Sequence, residues 1–202
     1  MGIEIIGIGS YLPEKILTNA ELEKMVETSD EWITTRTGIK ERRIAKDTEA
    51  TSDLGIQAAK RAIKKAKISA QDLDAIIVAT VTPDMFFPST ACFIQKEIGA
   101  KNAAAFDISA ACSGFIYGLT IAKSFINSDM YKTVMVLGAE KLSSITDWTD
   151  RNICILLGDG AGAVILRKTN STSDILSTYL GADGNYDDIL MMPAGGSRNP
   201  AT

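Results

Sequence analysis

Strand-like apolar runs at residues 3–9, 75–81, 103–108, 133–137 and 161–166 alternate with helix-like segments, and this order constrains the fold more than any other feature of the chain. The helices are read from spacing and caps. Residues 21–27 follow Thr18, and Thr18 and Glu21 stand at capping-box spacing. Residues 52–65 place Leu54, Ala58 and Ala62 on one side, with Ala66 next on the same line, and residues 90–98 end at Gly99, a residue suited to a helix C-terminus. Alternation of this kind builds an α/β layered domain on a largely parallel sheet. A further strand is predicted at 175–180, after the polar stretch 168–174, and residues 175–181 loosely echo residues 3–9.

Composition narrows the class. The 202 residues are 46% hydrophobic and 23% charged, sufficient for a sizeable core. No apolar run approaches the length of a membrane span, and the first residues lack the basic-then-apolar layout of a secretory signal, so the expected compartment is the cytoplasm and no membrane partner is expected. A net charge of −4 argues against a general nucleic-acid binder. Lys60, Arg61, Lys64, Lys65 and Lys67 fall mostly opposite the apolar stripe of their helix, the pattern of a solvated face. Cys92, Cys112 and Cys154 match no metal-ligand spacing, and their odd number favours reduced thiols over a disulfide framework. There is no histidine, which disfavours a hydrolytic cysteine enzyme.

Residues 105–115 (Ala-Phe-Asp-Ile-Ser-Ala-Ala-Cys-Ser-Gly-Phe) read as a strand that ends in small residues and presents Cys112 at the start of a helix. Phe115, Leu119, Ala122 and Ile126 follow at the spacing of one helical face. The unpaired N–H groups and positive dipole end of a helix favour a thiolate, which is the nucleophilic form. An arbitrary free cysteine is more often a small buried hydrophobe. Here Ser109, Ala110, Ala111, Ser113 and Gly114 leave little bulk around the sulfur, which suits a sharp turn and close approach by a substrate, so Cys112 is the candidate for covalent catalysis.

Other motifs have simpler readings. Gly158-Asp-Gly-Ala-Gly162 precedes a strand and does not open a helix, so a tight turn is expected and not a dinucleotide site; Gly7-Ile-Gly9 is also read as turn chemistry. Trp32 and Arg36 lie four apart after Ser29-Asp30 and share a helix face. On spacing alone, a core tryptophan covered by a surface arginine is the simpler reading, although the pair could also stack on an adenine or grip a phosphate. Phe86 and Phe87 sit between Pro83 and Pro88 in a turn-rich loop, with core burial the default for both. Asp159 and Glu140 stand near apolar runs with no pairing predicted for either.

Six segments in order carry a family resemblance: Gly9-Ser-Tyr-Leu-Pro13, residues 28–39, Phe87-Pro-Ser89, residues 106–112, Thr149-Asp-Arg151 and residues 158–162. Together they resemble the amino-terminal part of the β-ketoacyl-acyl carrier protein synthase III family of condensing enzymes. The resemblance implies a thiolase-like layered fold (α-β-α-β-α). Residues 1–170 would form the amino-terminal half with its nucleophilic cysteine, and 171–202 the beginning of the carboxy-terminal half. It implies a coenzyme A site at Thr28, Trp32, Arg36 and Arg151, with Asn152 where a glycine is common. It further implies that Phe87 crosses a homodimer interface to line the partner's acyl pocket. The implied reaction loads a short acyl group from acyl-CoA onto Cys112 and condenses it with malonyl-acyl carrier protein, with acyl-CoA as substrate and no tightly bound cofactor or metal. The family's catalytic histidine and asparagine lie in a later part of its chains and have no counterpart assigned here. Another cysteine condensing enzyme of the fold, of the polyketide or hydroxymethylglutaryl-CoA synthase type, and a non-catalytic acyl-CoA-binding half of a split assembly are the alternatives. On this reading the chain stops within the second half, and in isolation would leave apolar surface exposed.

Overall fold

The computed structural model describes residues 2–201. In chain order the elements are β1 (Gly2–Tyr11), β2 (Lys15–Thr18), α1 (Asn19–Leu22), α2 (Asp30–Thr37), β3 (Glu41–Ile44) and α3 (Thr51–Ala66). They continue with β4 (Ala75–Ala79), α4 (Thr90–Ile98), β5 (Ala104–Ile108), α5 (Gly114–Asn127), β6 (Thr133–Lys141) and β7 (Asp159–Thr169). The five apolar runs named above all become strands of one sheet, in the order β1-β7-β6-β4-β5.

The sheet is mixed, which corrects the expectation of a largely parallel one. β1, β6, β4 and β5 run in the same direction, but β7 enters between β1 and β6 and pairs antiparallel with both. A parallel pairing needs a crossover, usually a helix. Residues 142–158 offer only a 3-10 turn and further turns, so the chain returns beside β6 in the opposite direction. The strand predicted at 175–180 does not form: Leu176 and Tyr179 are each 90% exposed, and the segment pairs with no strand among the described residues. An apolar run with no neighbour to complete its ladder gains neither hydrogen bonds nor burial from extending. The helix predicted at 21–27 is shorter. Its capping box forms, with the Glu21 carboxylate accepting from Thr18 N–H at 2.8 Å, but the helix ends at Leu22. Glu23 then accepts from Asp30 N–H at 2.7 Å, turning the chain towards α2. The short antiparallel pair β2–β3 had no local signal in the sequence.

The core lies on both faces of the sheet. β4 is buried throughout and alternates: Ile76 and Val78 pack under α3 and α4 with Leu54, Ala58 and Ile94, whereas Ala75 and Ile77 pack under α5 with Ala122 and Ile126. Gly7 and Gly9 lie inside β1, not at a turn. A Cβ at Gly9 would stand 2.2 Å from the Ala58 carbonyl oxygen, and one at Gly7 2.4 Å from that of Ala62, so these glycines let α3 cross the strand backbone. Gly158, Gly160 and Gly162 likewise lie outside the positive-φ region, contrary to the turn expected there. At Gly158 the constraint is a close approach, since a Cβ there would stand 3.0 Å from that of Arg42.

Gly118 does the same for α5, since a Cβ there would meet Val136 Cγ1 at 2.7 Å. Alanine is the better helix former by about 1 kcal/mol, yet overpacking against a short, stiff valine costs about 1–3 kcal/mol. Gly118→Ala is therefore expected to lower stability, read as a lower urea midpoint at unchanged slope; a raised midpoint would show that the helix can lift off the sheet without cost.

Candidate active site

The four strands that share a direction release their chain at one edge of the sheet. After β1 come residues 12–46, after β4 the loop 80–89, after β5 the turn 109–113, and after β6 the segment 142–158. Phe87, Cys112, Arg151 and the Trp32–Arg36 helix thus emerge from the same edge. The connection β4–β5 moves to one side of β4, and β5–β6 returns to the other, so β4 marks a switch in strand order. Crevices at such points, beyond the carboxyl ends of strands, are where α/β sheets bind ligands.

Cys112 lies in a 3-10 turn (Ala111–Ser113) that runs directly into the helix α5. Ala111, immediately before it, has φ +45°, a left-handed conformation that costs a residue with a Cβ about 1–3 kcal/mol. The turn sits tightly on the sheet: a Cβ at Gly114 would be 3.0 Å from Ala79 Cβ at the end of β4. The strained backbone holds the thiol outward. Cys112 is exposed, whereas Cys92 is half-buried with its sulfur 3.2 Å from Ser89 Oγ, and Cys154 is buried. Burial pushes the Cys154 thiol above the ordinary cysteine range, with the nearby Arg42 charge partly offsetting it.

Trp32 and Arg36 share a face of α2, as their spacing predicts. Ser29 caps that helix by accepting from Trp32 N–H at 3.1 Å, and Gly38 ends it at φ +72°. The Arg36 guanidinium carbon lies 4.4 Å from the Trp32 ring centroid, and that of Arg151, from the segment after β6, lies 4.4 Å from the same centroid. Three residues named from sequence are therefore in one place, and a second cation on the ring replaces the simple picture of a core tryptophan under one arginine. Thr28 Oγ1 and Arg151 Nε are buried without a hydrogen-bond partner among the described residues. An unpaired buried Nε–H on one of two guanidiniums that share a ring suits an anionic, hydrogen-bonding ligand such as a phosphate. Asn152 is exposed, and its side-chain amide donates to Asp150 Oδ1 at 3.2 Å within its own turn.

Sequence reading missed the residues that hold this group together. Arg42, only 5% exposed, donates to Asn19 Oδ1 at 2.9 Å, to the Leu17 carbonyl at 3.3 Å and to the Ile155 carbonyl at 2.7 Å. Asn19 donates to Asp30 Oδ1 at 2.7 Å and to the Ile39 carbonyl at 2.8 Å, at the two ends of α2. Around this network Leu17, Leu22, Ile33, Ile44, Cys154 and Ile155 form a small core of their own, with Trp32 and Trp148 against it.

Phe86 and Phe87 are 81% and 83% exposed, which overturns the default of core burial. Asp107 on β5 anchors the far end of their loop, accepting from Thr90 N–H at 2.6 Å and Ala91 N–H at 2.8 Å at the start of α4. Burial pushes the Asp107 carboxyl up, and these N–H groups pull it partly back. Asp159, unpaired on sequence grounds, accepts from Ala45 N–H at 2.7 Å and Ser143 N–H at 2.8 Å, tying the β2–β3 lobe to the segment after β6. Among the described residues no group of three or more metal-ligating side chains is placed to hold a metal ion, and no helix is long and apolar enough to cross a membrane.

This architecture is the thiolase-like fold of solved 3-oxoacyl-(acyl-carrier-protein) synthase III structures. A family model described as 3-oxoacyl-[acyl-carrier-protein] synthase III matches residues 106–184. A β-ketoacyl-[acyl-carrier-protein] synthase III of Caldanaerobacter subterraneus subsp. tengcongensis is 65% identical over 198 residues, covering 98% of this chain and 60% of the relative. The crystal structure of the synthase III of Aquifex aeolicus superposes with a TM-score of 0.89 at 59% identity, covering 91% of this chain and 59% of that one. The priming β-ketosynthase of the R1128 polyketide pathway superposes at 0.82 with 36% identity, covering 84% and 51%. Over the residues it contains, the chain is similar to β-ketoacyl-[acyl-carrier-protein] synthase III proteins. It spans about 60% of the length of the curated relatives it matches.

Proposed function

We propose that these residues form the acyl-loading part of a β-ketoacyl-[acyl-carrier-protein] synthase III, an acyltransferase that begins fatty-acid synthesis. The observation that carries the reading is the shared sheet edge: an exposed thiol on a strained turn stands at the same edge as a tryptophan flanked by two guanidiniums. Trp32, Arg36, Arg151 and Thr28 would hold the nucleotide and phosphates of a short acyl-CoA, and Asn152 would border that site from its turn. Cys112 Sγ attacks the thioester carbonyl, a new carbon–sulfur bond forms, and the bond to the coenzyme A sulfur breaks as coenzyme A leaves. The Cys112 backbone N–H would donate to the tetrahedral oxyanion. Malonyl-acyl carrier protein would then lose carbon dioxide and its carbanion attack the acyl-cysteine. The 202 residues contain no histidine to assist that step, and no residue of this chain is assigned to it.

The domain reading is part of the same proposal: residues 1–170 as one half of the duplicated fold and 171–202 as the start of the other. Supporting it, Leu176, Tyr179, Ile189 and Leu190 all lie exposed beyond β7. A homodimer in which Phe87 enters the partner's acyl pocket, and a cytoplasmic location, complete it. The higher identity to synthase III than to the R1128 priming enzyme favours fatty-acid over polyketide priming.

Isothermal titration of the complete protein with coenzyme A tests the binding site. Trp32→Ala, Arg36→Ala and Arg151→Ala are each expected to weaken binding by about 1–3 kcal/mol, the range of a lost stacking or charge-assisted contact. Unchanged affinity in all three would remove the nucleotide site from Trp32.

A further inference from the structure

The first residues of the loop that carries Phe86 and Phe87 are gathered by one carboxylate. Glu140, close to the end of β6, accepts from Val81 N–H at 2.8 Å through Oε1. Through Oε2 it accepts from Thr82 N–H at 3.1 Å, from the Thr80 hydroxyl at 3.2 Å and from the Thr82 hydroxyl. The two hydroxyls are oriented by further donors: Thr80 Oγ1 accepts from Thr82 N–H at 3.1 Å, and Thr82 Oγ1 from Lys141 N–H at 2.9 Å. The proton directions are therefore consistent around the whole cluster. Just before the tip Asp84 accepts from Ser52 N–H at 2.8 Å, and at the far end Asp107 holds Thr90 and Ala91.

Both phenylalanine rings project from this loop largely uncovered by the rest of the chain. Where side chains find no packing, the position of a loop tip is set by its backbone anchors. Between β4 and Asp84 the Thr51 hydroxyl donates to the Thr82 carbonyl at 2.5 Å, and Glu140 is the side chain that gathers Thr80, Val81 and Thr82 together.

We propose that Glu140 is a positioning residue for acyl-primer selectivity, setting how far the Phe86–Phe87 tip reaches into the acyl pocket. The inference rests on the reading of Phe87 as a wall of that pocket. Glutamine is nearly isosteric but presents an NH₂ in place of one oxygen. With the NH₂ at the Oε1 position Val81 N–H loses its acceptor. With the NH₂ at the Oε2 position it faces Thr82 N–H, which keeps only Thr80 Oγ1, and the Thr80 and Thr82 hydroxyls lose the carboxylate oxygen they donate to. The loop then relaxes while the Trp32 site, built on other segments, stays intact.

The test compares kcat/KM for acetyl-CoA and butyryl-CoA in the complete protein carrying Glu140→Gln, Thr82→Val or Phe87→Thr. Phe87→Thr should raise the butyryl-to-acetyl ratio by removing part of the wall. Glu140→Gln should shift the ratio in the same direction by about threefold or more, with coenzyme A affinity unchanged and faster amide exchange in residues 80–89. A purely structural role would depress both substrates alike and leave the ratio constant. Thr82→Val, a milder cut in the same cluster, carries the same expectation should the glutamine variant fold poorly. A ratio moved by Phe87→Thr but by neither Glu140→Gln nor Thr82→Val overturns the role of Glu140. A ratio unmoved by Phe87→Thr overturns the pocket reading, and the proposal with it.

Discussion

Cys112→Ser is expected to lower acyl transfer from acetyl-CoA by about 10⁴–10⁶-fold, the scale seen when a covalent nucleophile is removed. Its unfolding transition should stay unchanged. The exposed side chain makes no core contact whose loss would register as stability, and serine nearly matches its volume. A hydroxyl in the same turn lacks the thiol's intrinsic nucleophilicity. Mass spectrometry of the wild-type protein after brief incubation with acetyl-CoA should place the acyl group on the peptide containing Cys112. Iodoacetamide should modify Cys112 first at neutral pH, and acyl-CoA should remove that advantage. Cys92 and Cys154 serve as internal controls because one is half-buried against Ser89 and the other is in the core. Equal labelling of all three in the native state, or acyl transfer by the serine variant at the wild-type rate, would falsify the assignment.

What the sequence made legible follows how local each signal was. The turn at Cys112 is written in consecutive residues: small side chains, then an amphipathic helix, so its position could be read directly. Trp32 and Arg36 face the same way because helical geometry links residues four apart. Arg151 stands outside such rules. It joins Trp32 only because β6 and β1 run in the same direction and release their chains at one edge, and residue resemblance, not spacing, pointed to it. Glycines misled for a related reason. Gly7, Gly9 and Gly158 look like turn residues in one dimension, but what they accommodate is a helix or hairpin far along the chain. Buried polar hubs are the hardest to see. Asn19 resembles any residue after a helix cap, and Arg42 sits in Glu-Arg-Arg-Ile, which reads as a charged surface run. The strand expected at 175–180 failed for the converse reason, since its apolar residues are those of a strand but the sheet gives them no neighbour.

Arg42→Met is expected to destabilise the protein by about 1–3 kcal/mol, the cost of leaving buried acceptors without their donor. Methionine fills much of the space but leaves Asn19 Oδ1 and the carbonyls of Leu17 and Ile155 without that donor. Because Ile155 belongs to the segment bearing Arg151, and Asn19 grips both ends of α2, the loss should also loosen the Trp32–Arg151 pairing and weaken coenzyme A binding. A second readout separates the charge from the packing. The Cys154 thiol is already held above its ordinary range by burial, and Arg42 pulls it back down. Without that charge the folded-state value rises further. A group whose folded value is raised contributes stability that is full below its unfolded value and is lost as pH climbs through the folded one. Both proteins therefore weaken alike at first, and the variant should go on weakening once pH passes the wild-type thiol's folded value, above the ordinary cysteine range. Urea midpoints measured at neutral and alkaline pH would show this as a widening gap. Adding Cys154→Ala should abolish the widening while leaving the deficit at neutral pH, and a gap that stays constant with pH in the single variant would mean that Arg42 acts on this lobe through its hydrogen bonds alone.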